Sequence, residues 1–274
     1  MKHQPSHATP IVLTIAGSDS GGGAGIQADI KAISATGGYA CTAITAITAQ
    51  NTQGVSAIFP IPIEYIAKQL DAVFSDLNVV AVKVGMLADS DIINIVADKL
   101  QQYRPQFVVV DPVMIATSGD ALLKSEAILT MKERLLPLAD LITPNLPEGA
   151  ALTECNVPTI EAQMGFMITD LRALGAKAVL LKGGHLEGNQ HSNDLLIEAN
   201  SVSVIRAKRW ETKNTHGTGC TLSAAIASYL AQGESLLIAV EKAKAYISAA
   251  IEHADELNIG SGHGPVHHFY ALTQ

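Results

Sequence analysis

The stretch "NTHGTGC", residues 214–220, places two glycines around a threonine, ends on Cys220 and runs directly into the small and apolar residues "TLSAAIA". Glycines followed by a helix let several backbone N–H groups point at one oxyanion, and the helix dipole adds to the attraction. Such a site suits a phosphoryl group in transit, with Thr215, Gly217, Thr218, Gly219 and Cys220 as its donors and lining. The plainer alternative is a loop and cap with Cys220 as a small buried residue.

Three other places carry comparable chemistry. Lys182 closes the apolar run "AVLLK" before two glycines, a position from which an ammonium reaches a phosphate oxygen. "TPNLPEG" sets Asn145 and Glu148 three residues apart, on one side of a first helical turn, where they can hold Mg²⁺ or form a capping box. Asp111, at the end of "FVVVD", can face the same metal or cap a turn. Two further motifs are weaker. "GAGIQA", residues 23–28, satisfies a dinucleotide-binding string, but six residues separate it from the strand and no carboxylate ends the second strand, which argues against an NAD-dependent oxidoreductase. His263 and His267 have a zinc-like spacing, yet Gly and Pro between them and no clear third ligand favour a docked tail.

The elements that must position these residues alternate between strand and helix. A buried strand is expected over Ile11 to Ala16, then a helix with Ile26, Ile30 and Ile33 on its apolar face. "CTAITAITA" and "VSAIFP" read as strands, and "PIEYIAKQLDAVFSD" as a helix burying Ile66, Leu70, Val73 and Phe74. "VVAVKVGM", "FVVVDPV", "ADLITPN" and "AKAVLLKGG" are further strands, interleaved with helices over "SDIINIVADKLQQY", with a serine cap, "ALLKSEAILTMKERLLP", stopped by proline, and "AQMGFMITDLRALG". Residues 193–208 read as a hairpin on an antiparallel edge, and the chain closes on two helices. The expected architecture is an α/β sandwich with a mostly parallel central sheet and helices on both faces. In such sheets ligands bind beyond the carboxyl ends of the strands, which is where the polar and glycine motifs fall.

At 274 residues the chain is expected to fold as one domain over 1–274, with residues 1–10 a flexible extension. Eighteen basic against 26 acidic residues give a net charge of −8 with no local basic cluster, which disfavours nucleic acid as a partner. No apolar run approaches the roughly 18 residues of a spanning helix, so no membrane partner is expected. Three cysteines without metal-ligand spacing point to a reducing cytoplasm.

Taken together, "LTIAGSDSGGGAGIQADIK", "TAITAQNTQGV", "KVGML", "DPVMIATSGDALL", "LITPNLPE", "LLKGGH", "NTHGTGCTLSAAIA" and "GPVHHF" resemble the hydroxymethylpyrimidine/phosphomethylpyrimidine kinases of thiamine biosynthesis, a branch of the ribokinase-like superfamily. The match runs from about Leu13 to Phe269. It implies a three-layer ribokinase-like fold, ATP and Mg²⁺ as cofactors, and phosphorylation of 4-amino-5-hydroxymethyl-2-methylpyrimidine and then of its monophosphate. It also implies a homodimer. By the same resemblance, Gln50 reads the aminopyrimidine edge, and Gly17, Asp19, Met86 and Val113 complete the substrate pocket. Asn145, Glu148, Lys182, Thr215, Gly217 and Gly219 stand on the nucleotide side, with Glu148 and Asp111 toward the metal. Cys220 stands where other ribokinase-like enzymes carry an aspartate base, and Thr117 where a lysine is common in this branch. Two alternatives stay open: a vitamin B6 kinase acting on pyridoxal or pyridoxine, and a nucleotide-binding regulator without turnover.

Overall fold

The computed structural model describes residues 9–114, 123, 126–184, 186 and 190–272. In chain order they form β1 (Ile11–Asp19), α1 (Gly25–Ala35), β2 (Tyr39–Asn51), β3 (Gly54–Pro60), α2 (Ile63–Asp76), β4 (Val79–Val84), α3 (Ser90–Tyr103) and β5 (Phe107–Val110). Next come α4 (Ala127–Thr130), which widens into a π turn and tightens into a 3₁₀ turn, then β6 (Leu141–Ile142), α5 (Leu146–Thr153), α6 (Glu161–Met164), α7 (Ile168–Arg172) and β7 (Ala178–Lys182). β8 (Asp194–Glu198), β9 (Val202–Ile205), α8 (Thr218–Ala231) and α9 (Leu236–Glu252) complete the order.

One nine-stranded sheet runs β3-β2-β1-β4-β5-β6-β7-β8-β9. Its middle, from β2 to β7, is parallel, and β3, β8 and β9 pair antiparallel at the two edges. The strands alternate between two cores, as a side-chain period of two requires. Leu13, Ile15, Val108, Val110, Val179 and Leu181 face the layer that holds α2, α3, α5 and α7. Val12, Val109, Ala178 and Leu180 face the layer of α1, α8 and α9. This is the three-layer, mostly parallel sandwich the sequence predicts.

Local details differ from the sequence expectations. Ile30 lies 38% exposed, and Ala28, Asp29 and Ala32 share the buried face with Ile26 and Ile33 instead. The cap of α3 is Asp89, whose carboxylate accepts from the Ile92 N–H, and Ser90 is the first helical residue. "VSAIFP" pairs antiparallel with β2, a second hairpin that the sequence reading did not identify.

An ion pair sits inside the α1–β4 contact. Lys83 donates to both carboxylate oxygens of Asp29 at 3.0 and 2.9 Å, Thr14 donates to the same carboxylate at 2.5 Å, and all three side chains are fully buried. Burial opposes a charge on Lys83, but the Asp29 carboxylate outweighs it and holds the ammonium protonated. Removing one partner of such a pair strands the other, which typically costs about 3–5 kcal/mol. Lys83→Met is therefore expected to lower unfolding stability by about that amount in urea titrations, and Asp29→Leu combined with it to recover most of the loss. Equal stability of the single and double variants would show that the pair is not coupled.

Candidate active site

The carboxyl ends of β1, β4, β5, β6 and β7 open on one side, and α8 begins there. A cavity of about 680 Å³ lies across them. Gly17, Asp19, Gln50, Met86, Asp111, Val113, Asn145, Glu148, Lys182, Thr215, Gly217, Thr218, Gly219 and Cys220 all line it. A separate concavity of about 410 Å³ between β9 and α9 contains none of them.

The anion-binding end is built by close backbone approach. Gly217 caps α8 at φ +81°, and a Cβ there would lie 1.8 Å from the Gly23 carbonyl oxygen, so the two glycine loops interlock only through glycine. Gly25, at φ +55°, likewise lies against the Gly17 carbonyl. Gly219 sits over a second ion pair: a Cβ on it would come within 3.3 Å of both the Lys182 ammonium and the Asp111 carboxylate. Lys182 donates to Asp111 at 2.9 Å, and Thr143 donates to the same oxygen at 3.0 Å. Burial opposes ionisation of Asp111, but the Lys182 and Lys83 ammonium groups hold its carboxyl below the ordinary range. The result is one fixed cation beside the first N–H groups of a helix.

Cys220 departs from expectation. Burial pushes its thiol up to about 11, although the Lys83 ammonium and the Gly25 N–H act in the opposite direction. Desolvation thus opposes the thiolate bias expected from the helix N-terminus and favours the thiol at neutral pH. A neutral thiol accepts a hydrogen bond from a hydroxyl but cannot take its proton.

Asn145 and Glu148 form the reciprocal capping box of α5, each side chain bonding the other's backbone N–H at 2.8 Å. Burial pushes the Glu148 carboxyl up to about 7, with Lys182 opposing and Asp111 adding to the rise. A proton is thus bound in the folded protein over a range, from about 4.5 to about 7, where the unfolded chain has released it. Since the native state binds more protons there, stability from this group falls as pH rises through that window. In Glu148→Gln this slope is expected to be lost, so the difference between parent and variant stability should change with pH between about 4.5 and 7, while the capping box survives because Gln also serves at that position. Parallel melting curves for parent and variant would contradict it.

Asp19, which lines the cavity as expected of a pocket residue, also organises the loop around its carboxylate. The N–H groups of Gly21, Gly23 and Ala24 donate to it at 2.8, 3.0 and 2.8 Å, and the His216 ring nitrogen adds a fourth contact at 2.9 Å. Burial opposes its charge, but His216 and these backbone donors hold the carboxyl below its usual range. His216 is the functional-site residue that sequence reasoning passed over, although it lies inside the glycine motif it had singled out. The C-terminal histidines do form a docked tail: the His216 N–H donates to the Gly264 carbonyl, and the His267 N–H to that of Ala250. Among the described residues no group of three or more His, Cys, Asp or Glu side chains is placed to hold a metal. Thr117 lies outside the described residues.

A three-layer sandwich with a lysine and a glycine-rich helix start converging at its strand ends defines a ribokinase-like phosphotransferase. The chain belongs to the phosphomethylpyrimidine kinase family, whose family model matches residues 19–267. It is 54% identical to a hydroxymethylpyrimidine/phosphomethylpyrimidine kinase of Rhizobium meliloti over 262 residues, 96% of this chain and 98% of that one. To the enzyme of the same name from Escherichia coli it is 50% identical over 259 residues, 94% of this chain and 97% of that one. Among solved structures, an ADP complex of Bacillus subtilis pyridoxal kinase superposes with a TM-score of 0.89 at 35% identity, covering 97% of this chain and 100% of that one. A phosphomethylpyrimidine kinase from Clostridium difficile gives 0.77 at 46% identity, covering 88% of this chain and 99% of that one.

Proposed function

We propose that this chain, acting as one domain, transfers the γ-phosphoryl group of ATP to the hydroxymethyl group of 4-amino-5-hydroxymethyl-2-methylpyrimidine, and then phosphorylates the monophosphate, in thiamine diphosphate biosynthesis in the cytoplasm. The observation that carries the reading is the placement of an amide, Gln50, a cation, Lys182, and the N-terminus of α8 on the walls of one cavity. An amide donates and accepts at once, as an aminopyrimidine edge requires. The Lys182 ammonium and the N–H groups at the start of α8 stabilise charge on the transferring phosphoryl group, where positioning and electrostatics supply most of the catalysis. Cys220 orients the attacking hydroxyl.

Asp111 and Glu148 fit a Mg²⁺ ion, since both carboxylates line the cavity and the Asp111 charge adds to the cost of ionising Glu148, which a cation relieves. They would hold it together with phosphate oxygens and water, and its chemistry is to neutralise phosphate charge. Glu148→Gln is expected to raise the Mg²⁺ concentration needed for half-maximal rate; an unchanged titration would leave Glu148 as a cap alone.

A second copy of the chain is the partner we propose. Tyr39, Ile47, Ile58, Phe59, Ile63 and Tyr65, on β2, β3 and the start of α2, are all large apolar side chains left exposed. Light scattering at micromolar concentration would read a dimer mass or refute it. Among the described residues no helix is long and apolar enough to cross a membrane.

The pyridoxal kinase reading is favoured by one observation, the TM-scores of 0.89 and 0.88 to pyridoxal kinases of Bacillus subtilis and Staphylococcus aureus. An ADP-release assay over a panel of hydroxymethyl heterocycles separates the two, with kcat/KM for the pyrimidine expected to exceed that for pyridoxal. The reverse order would make the chain a vitamin B6 kinase, and ATP binding without ADP release would make it a regulator.

A further inference from the structure

Gln50 is held in a polar chain that decides which way its amide points. Its backbone is clamped to Ser20, whose hydroxyl accepts from the Gln50 N–H at 2.8 Å and donates to the Gln50 carbonyl at 2.7 Å. The side-chain Nε2 lies 3.4 Å from His216 Nε2, and Oε1 lies 3.1 Å from the Thr48 hydroxyl, where it can accept. The protons on these neighbours are not free to move. His216 Nε2 faces the Asp19 carboxylate at 2.9 Å, and a carboxylate that also takes three backbone N–H groups can only accept. Nε2 therefore carries a proton whether the ring is neutral or cationic and has no lone pair to offer, so an amide N–H facing it is repelled and an acceptor on Gln50 is favoured as the weaker arm of a shared bond. At the other end, Thr48 has a single hydroxyl proton, and the Ser18 carbonyl takes it at 2.8 Å. Thr48 offers Gln50 a lone pair, so what it meets there must be a donor. Both neighbours therefore favour the amide turned over from that placement, oxygen toward His216 and nitrogen toward Thr48, since the two ends of an amide are assigned from their partners.

This leaves one amide lone pair on the His216 side and one N–H on the Thr48 side for a ligand in the cavity. The matching edge has an exocyclic N–H beside a ring nitrogen acceptor, with the exocyclic group on the His216 side. His216 directly precedes the Gly217–Cys220 loop, so this docking also brings the carbon next to the exocyclic group, which bears the hydroxymethyl, toward the phosphoryl site. A 4-oxo pyrimidine, whose edge is a carbonyl beside an N–H, meets acceptor with acceptor and donor with donor. Turning the ring over to match would carry its hydroxymethyl away from the loop. We infer that His216 is a specificity-determining residue that makes this site select a 4-amino over a 4-oxo pyrimidine by fixing the orientation of the Gln50 amide. The inference rests on the pyrimidine kinase reading given above.

The test compares kcat/KM for 4-amino-5-hydroxymethyl-2-methylpyrimidine and its 4-oxo counterpart in the parent, His216→Leu and His216→Gln. A site with fixed polar partners rejects a mismatched analogue strongly, so the parent is expected to prefer the amino compound by about 100-fold or more. In His216→Leu the amide keeps only its Thr48 partner, and the preference is expected to fall by about tenfold or more. His216→Gln, held by Asp19 with its N–H toward Gln50, is expected to restore most of it. A ratio of two substrates on one enzyme is insensitive to the fraction folded, so a purely structural role would not move it. Should His216→Leu fail to fold, Thr48→Val, which removes the lone pair that holds the amide nitrogen, is expected to weaken the preference. Turnover with the parent's preference in the variant that folds overturns the inference alone. A parent that turns over neither pyrimidine overturns the kinase assignment and this inference with it.

Discussion

Lys182→Met is expected to lower kcat/KM for the pyrimidine by about 100- to 1,000-fold, the range found when a preorganised donor to developing negative charge is deleted. The side chain is only 14% exposed and lies against Gly219 at the anion-binding end. The substitution also leaves Asp111 without its ammonium partner, retaining Thr143 and a longer contact to Ser223. Thermal melts separate that structural cost from the catalytic one. Parent-like melting with activity within tenfold would mean that the N–H groups of the α8 terminus hold the phosphoryl group unaided.

Replacing Cys220 by alanine and by serine is expected to give unequal results. Alanine removes the partner that orients the hydroxyl, and misplacement on the scale of an ångström costs about 100-fold in kcat. Serine keeps a group that can accept a hydrogen bond from that hydroxyl, so Cys220→Ser is expected within about tenfold of the parent. This follows from the thiol's being pushed up to about 11, which removes a standing thiolate at neutral pH. Were cysteine the base, serine would fare as badly as alanine, because both lack an acceptor for the proton. Steady-state kcat for the two variants, with ATP saturating, decides between orientation and proton transfer.

Much of the site was legible in the sequence because its residues sit at strand ends, and strands announce themselves by apolar runs that stop. Lys182, Asp111 and the loop of Gly217 to Cys220 were placed by that logic alone, and Gln50 by family resemblance. What pattern does not carry is the pairing of residues distant in the chain. Lys83 stands in the apolar run "VVAVKV" and Asp29 on the face of α1 that holds Ile26 and Ile33, so each contradicts its neighbours in a way that a partner explains. That anomaly was a readable signal for the ion pair. His216 offered no such signal, since its partners Asp19 and Gln50 lie 197 and 166 residues away. The rise of the Cys220 thiol was not legible, because the field of a helix terminus is visible in sequence, whereas desolvation by the surrounding fold is not. The antiparallel sense of β3 escaped because its turn, "NTQG", lacks the Asn-Gly or Asp-Gly signature.

A phosphorus NMR time course on the purified chain with ATP, Mg²⁺ and 4-amino-5-hydroxymethyl-2-methylpyrimidine tests the central claim most directly. One cavity carrying out both transfers predicts a phosphomonoester signal that rises, then gives way to a diphosphate, with two ADP formed per pyrimidine consumed. ADP release that does not depend on the pyrimidine, or no pyrimidine phosphate at all, would contradict the claim.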